Sequence, residues 1–190
     1  MLSEDEKLQQ KTDIESLRSW LRGDTTNPWV LQKNKAYDIT TVLLPDMISF
    51  IKYHLSYFVM AIIALIPWSC VKIFLYRRMG VKIGKDVYIA PKVFLDGMYP
   101  SLIILEDGCM LGGGCKILTH ENTVENFRIG RVRIGANSVI GAFSIVRSSV
   151  SIGTNVQTGL GSVVMKDVAD NMVVVGNPAR ILRSHKKTIT

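Results

Sequence analysis

The chain has 190 residues, enough for one domain and an appendage, and 23 Lys and Arg against 16 Asp and Glu give a net charge of +7. No nucleic-acid motif accompanies that charge and aromatic residues do not interleave with the bases, so the excess points to a polyphosphorylated ligand and a membrane surface instead. Three cysteines, Cys70, Cys109 and Cys115, with no secretory signal read ahead of them, argue against a disulfide scaffold and for reduced thiols in a cytoplasmic protein.

The charge is unevenly spread: residues 1–38 carry a net −1, 39–80 a net +3 and 81–190 a net +5. Residues 3–21 predict a short amphipathic helix. Ser3 and Glu6 have the spacing of a capping box, Ile14, Leu17, Trp20 and Leu21 form one stripe, and Gly23 ends it. The DTTNPW that follows is a break, so residues 1–38 read as a helix and a loop.

Residues 39–80 are a different material. Between His54 and Lys72 seventeen residues carry no charge. A full membrane span needs about 20, and Pro67 interrupts the run. Lys72, Arg77 and Arg78 follow, and Tyr57, Trp68 and Tyr76 suit a membrane interface. The segment predicts apolar helices with two possible roles. They either lie on a membrane as a monotopic or re-entrant anchor, which the basic flank favours, or cap the end of the domain that follows.

From residue 81 an aliphatic side chain returns every six positions. Ile134, Ile140, Val146, Ile152 and Val164 share one register, Thr158 is its polar member, and Gly135, Gly141, Gly153 and Gly159 follow directly behind. Ile83, Ile89 and Leu95 form a second block, and Leu105, Leu111 and Ile117 a third. Four places after the frame residue stand side chains such as Cys109, Cys115, Ser138, Ser144 and Ser162, small enough for the inside of a narrow tube. Six is neither the helical nor the bare strand period. It is a repeat of short strand plus corner, whose stacking gives a parallel β-helix. The blocks do not join in phase, so loops leave the coil near residues 96–101 and 119–133, and protruding loops are where function tends to sit.

The stretches IGANSVIGAFSIV and VVVGNPARIL resemble the hexapeptide-repeat acyltransferases, over roughly residues 80–183. The lead-in IPWSCVKIFLYRRMGVKIGKDVYIAP is similar to that of membrane-associated sugar O-acetyltransferases from surface-polysaccharide pathways. The resemblance implies a mainly β fold: a left-handed parallel β-helix of triangular section over 81–183. Ahead of it would stand the apolar α-helical segment, and after it a short helical tail at 184–190. It implies a homotrimer and acetyl-CoA as donor; no metal and no nucleic acid are expected. The acceptor would be a sugar or lipid-linked sugar, met on the cytoplasmic face of a membrane.

Of the three histidines, His54 lies in the apolar segment and His185 in the tail, whereas His120 stands where the frame breaks after Ile117. Transfer of an acyl group from a thioester to a hydroxyl needs a base near neutral pH, which imidazole supplies. The resemblance gives that role to His120. A zinc-dependent carbonic anhydrase on the same coil would need three histidine ligands, and two of the three lie outside the repeats. The pantetheine arm of the donor is expected along the corners Gly141–Ala142 and Leu160–Gly161, and its phosphates at Lys166, Arg180 and Arg183. Lys166 and Arg183 also read as ordinary solvated surface, and Met165 stands where the family more often has a small polar residue. Asp96 stays open between orienting His120, binding a sugar hydroxyl and opening a turn with Gly97. Arg128, Arg131 and Arg133 face either an anionic acceptor or solvent. An acetyltransferase of the same fold acting on an amino sugar, serine or an antibiotic, and a non-catalytic scaffold, are the competing readings.

Overall fold

A computed structural model describes residues 4–23, 27–32 and 47–185. The capping box falls outside the described side chains. Helix α1 runs Glu4–Arg22, and the Gly23 amide closes it on the carbonyls of Ser19 and Trp20.

Residues from 82 onward wind into a coil with three parallel faces. The first face stacks Lys82–Ile83, Ile103–Leu105, Val132–Ile134 and Ser151–Ile152. The second stacks Tyr88–Ile89, Met110–Leu111, Val139–Ile140, Gln157–Thr158 and Met172–Gly176. The third stacks Phe94–Leu95, Lys116–Ile117, Ile145–Val146 and Val163–Val164. The registers align the sixfold frame with itself. Ile83 pairs with Leu105, Leu105 with Ile134 and Ile134 with Ile152, so each frame side chain sits on another. All of the frame is buried except Ile83, which is half-buried. Cys109 and Cys115 are fully enclosed, and burial pushes both thiols up to about 12. The recurrent glycine has a steric reason: a Cβ on Gly141 would lie 2.6 Å from the Gly159 carbonyl oxygen of the next coil.

The polar frame member is satisfied from within. Thr158 Oγ1 accepts the Gly141 amide at 2.8 Å. Ser138 and Ser144 donate to the carbonyls of Gly153 and Gly159. The small inward side chains thus tie coils together where a larger residue would not fit.

Two helices close the N-terminal end of the coil: α2, Met47–Leu65, and α3, Ser69–Arg78. Met60, Ile63 and Tyr76 belong to the same buried cluster as the frame residues. Lys72 is fully buried, donates its Nζ to the Ala90 carbonyl, and is held below the usual lysine range by that burial. The other side of the pair exposes Ile51, Leu55, Phe58, Ile62, Leu65 and Trp68. No helix among the described residues is long and apolar enough to cross a membrane.

One expectation is corrected and one is not reached by the described residues. The chain forms a further strand before the tail, and the helical tail expected at 184–190 lies almost wholly outside the described residues. Ala179–Ser184 is a strand that folds back antiparallel on Met172–Gly176, with Val173 opposite Arg183, and residues 186–190 lie outside the described residues. The excursion at 119–133 is not an open loop. His120–Asn122 and Asn126–Ile129 form a hairpin, and Trp29–Gln32 adds to it as a third antiparallel strand, Trp29 opposite Ile129. A second apolar cluster, Leu17, Trp29, Leu31, Leu102, Phe127 and Ile129, with Ile14, Trp20 and Leu21 of α1 packed against it, holds this small sheet. The helix stripe read from the sequence therefore packs under the hairpin that carries His120.

Candidate active site

The third face ends in one corner on every coil. There the Asp96 amide donates to the Ile117 carbonyl, Leu118 to Val146 and Arg147 to Val164. Asp96, Leu118, Arg147 and Met165 thus form a column along one edge of the prism. Three strand spacings of about 4.8 Å make that column roughly 14 Å long. Both of its upper coils depart from the repeat at this corner, which brings two distant chain segments together.

At the top, Asp96 Oδ2 lies 2.6 Å from His120 Nδ1. The Asp96 side chain has no exposed surface, whereas that of His120 keeps 22%. The carboxylate also accepts the amides of Thr119 at 2.8 Å, His120 at 3.2 Å and Met98 at 3.0 Å, and the Tyr57 hydroxyl at 2.7 Å. Burial alone would raise its pKa. The hydrogen bond and charge of His120, then the Met98 amide and the Tyr57 hydroxyl, bring it down instead to about 2. An ionised carboxylate accepts only, so Nδ1 carries the proton and Nε2 is left as the basic nitrogen. The His120 ring also lies against Phe127 of the hairpin, centroids 5.8 Å apart.

This geometry bears on the three readings of Asp96. It is hydrogen-bonded to His120, and it opens a turn through its bond to the Met98 amide. Both of its oxygens are engaged inside the protein, and its side chain has no exposed surface.

One coil further along, Arg147 Nε donates to both Glu121 oxygens at 2.7 Å, and Ser148 Oγ donates to Oε1 at 2.6 Å. Burial would raise the Glu121 pKa, but the Arg147 and Ser148 hydrogen bonds lower it. Arg147 is thereby tied to the neighbour of His120, and it also lines a groove of ≈ 680 Å³ with Met165, Lys166, Pro178, Arg180 and Ile181. Lys166 and Arg180 border the lower end of the edge as cations, beside Asp167 and the Arg147 that is paired with Glu121.

The expected donor-binding residues divide into groups. Lys166 and Arg180 share the groove. Arg183 is exposed on the returning strand and is not among the groove's lining residues. Ala142, Leu160 and Gly161 lie on a different edge, where the second face ends; the Gly161 amide donates to the Ala142 carbonyl at 2.9 Å, and Leu160 is 80% exposed. Within one chain the width of the third face separates this set from His120. Of the loop arginines, Arg133 makes a paired contact with Glu106, at 2.6 and 2.9 Å, on the first face, and the side-chain partner of Arg128 is Ser149 Oγ at 3.4 Å. Tyr57, Glu121 and Arg147 are not singled out for the site by the sequence. The sixfold frame places Arg147 at a corner but carries no sign of its partner.

Residues 131–166 match the family model "Hexapeptide repeat of succinyl-transferase". A putative acetyltransferase of Bacillus subtilis, YvoF, is 35% identical over 136 residues, 71% of this chain and 79% of the relative. The chain belongs to the hexapeptide-repeat acyltransferases. By family it is an acyltransferase, and solved structures share its fold. A maltose O-acetyltransferase from Clostridium difficile superposes with a TM-score of 0.60 at 23% identity, covering 75% of this chain and 91% of that one. A hexapeptide-repeat acetyltransferase from Vibrio cholerae, complexed with acetyl coenzyme A, gives 0.55 at 18% identity over the same shares. In this hexapeptide-repeat acyltransferase the departures from the repeat, at residues 96–101 and 119–133, are what build the Asp96–His120 pair.

Proposed function

We propose that the protein is an acetyl-CoA-dependent O-acetyltransferase whose acceptor is a sugar hydroxyl, with His120 as general base. The observation that carries this reading is the Asp96–His120 pair: a buried carboxylate holds the Nδ1 proton and leaves Nε2 basic at a partly exposed corner. Nε2 removes the hydroxyl proton as the acceptor oxygen attacks the thioester carbonyl carbon. The C–O bond forms, the C–S bond breaks, and the proton passes from His120 to the departing thiolate. The Asp96 carboxylate lies 2.6 Å from Nδ1 of the ring that carries the extra proton between the two transfers.

The sugar acceptor is supported by the fold shared with the maltose enzyme, and acetyl-CoA by the complex of the Vibrio cholerae protein. Lys166 and Arg180 suit the phosphates of the donor. The separation of Ala142, Leu160 and Gly161 from His120 supports a trimer, in which the edge of one chain faces the other edge of its neighbour and the donor lies between them. A left-handed coil belongs to this same reading. The exposed apolar side of α2 and α3, together with exposed Arg77 and Arg78, supports a peripheral position on the cytoplasmic face of a membrane, near a lipid-linked acceptor for surface polysaccharide.

The test is turnover of acetyl-CoA by His120→Ala against a panel of sugars. Loss of a general base lowers kcat by about 10²–10⁴. Oligomeric state and acetyl-CoA affinity should stay near wild type, since the substitution removes a corner side chain and no part of the buried ladder. Retained kcat would show that another group takes the proton.

A further inference from the structure

Helix α2 does more than cover the end of the coil. Its Tyr57 hydroxyl donates to Asp96 Oδ1 at 2.7 Å, so one carboxylate holds His120 on Oδ2 and the helix on Oδ1. The adjacent Ser56 hydroxyl donates to the Gly97 carbonyl at 2.7 Å. The approach is close enough that a Cβ on Gly97 would stand 3.1 Å from Tyr57 Cα. The next turns of the helix anchor it: Met60 and Ile63 are buried in the coil's cluster, and the Lys92 amide donates to the Ala64 carbonyl at 2.8 Å. Burial first, and then the Asp96 charge, push the Tyr57 phenol above its ordinary range, so it stays a proton donor at working pH.

We propose that Tyr57 is a positioning residue for acyl transfer, acting on His120 through Asp96. A carboxylate joined to the chain by one side-chain torsion and one carboxyl torsion can turn. The Met98 amide shares Oδ1 with the phenol and the Thr119 and His120 amides share Oδ2 with Nδ1; the phenol, held on a packed helix, adds the side-chain lock against rotation away from Nδ1. The apolar helix is thereby part of the catalytic unit. Tyr57 touches no reacting atom, so its loss acts on turnover and not on donor binding. The inference rests on the reading of His120 as the base.

The test uses the full chain with Tyr57→Phe and, as a second variant, Gly97→Ala, which presses the helix off Asp96 without altering the phenol. Tyr76→Phe is the control, because that phenol is buried in the same helical pair but donates to the Val93 carbonyl, away from the dyad. The first readout needs no acceptor: the downfield Nδ1 proton of His120 in NMR, hydrogen-bonded to Asp96. It should be sharp in wild type and Tyr76→Phe, and broadened by solvent exchange in Tyr57→Phe and Gly97→Ala. The second is turnover of acetyl-CoA with water as acceptor, expected to fall roughly 10-fold in both variants at unchanged KM for acetyl-CoA. An unchanged Nδ1 signal and kcat in Tyr57→Phe would overturn the role of Tyr57. Unchanged turnover in His120→Ala would overturn the base itself, and with it any positioning of that base.

Discussion

In the coil, Ile134 lies between Leu105 and Ile152, and Ile140 and Val146, six and twelve residues further on, occupy the equivalent place on the other two faces. In α2, by contrast, Met60 and Ile63 are buried on the coil while Ile51, Leu55, Phe58 and Ile62 of the same helix are exposed. The coil is a self-templating structure: each layer presents the surface that the next one needs. The helical pair is a one-sided structure, with an inner side that serves the coil and the Asp96–His120 pair and an outer side that serves neither. Apolar character means core in the first region and only half-means it in the second. The exposed side is available to a partner surface, which the membrane proposal supplies.

The largest effect expected from breaking this comparison is on stability. Ile134→Ala leaves a cavity between two coils and should cost about 2–5 kcal/mol. Phe58→Ser, on the outer side of α2, should change stability by no more than about 0.5 kcal/mol. Urea unfolding at fixed protein concentration measures both. Equal losses would mean that the outer side is covered in the assembled protein, and the contrast between the regions would fail.

A second, smaller effect concerns the point where the regions meet. The folded-state pKa of Asp96 is depressed to about 2, so its ionised form stabilises the fold above the unfolded pKa of about 4, and that contribution disappears as pH falls through 2. The shift corresponds to about 2 kcal/mol at neutral pH. The stability gap between wild type and Asp96→Asn should therefore narrow from pH 5 to pH 2. A gap independent of pH across that window would mean that Asp96 is held by its shape and not by its charge.

The smallest effect separates two cations on the C-terminal coils. Lys166→Ala should weaken coenzyme A binding by about 1.5–3 kcal/mol, the range of a charged hydrogen bond. Arg183→Ala, outside the groove, should change it less. Calorimetric titration with coenzyme A distinguishes them, and the reverse order would move the phosphates off the groove.

Much of the site is legible in the sequence, and the missing part has a common cause. His120 stands out because it follows a frame residue where the frame breaks. Asp96 stands out in the same way at the other break, yet its reading divides, since sequence separation does not say that the two breaks meet at one corner. The hairpin at 120–129 is hidden because its third strand, Trp29–Gln32, comes from about a hundred residues upstream. Tyr57 reads as an interface aromatic, one of several in an apolar run, because a phenol bonded to a carboxylate 39 residues away has no local signature.

The sequence by itself determined the coil, its sixfold frame and the two places where the chain leaves it. That follows from the physics of stacking: when each layer packs on a copy of itself, the constraint on a residue repeats along the chain and is written there as a period. The tertiary structure alone decided that the two departures share an edge, that α1 and Trp29–Gln32 support the hairpin of His120, and that α2 holds Asp96. These are single contacts between unlike segments. Each is satisfied once, by burial and hydrogen-bond geometry that depend on the finished fold, and a constraint met once leaves no period to read.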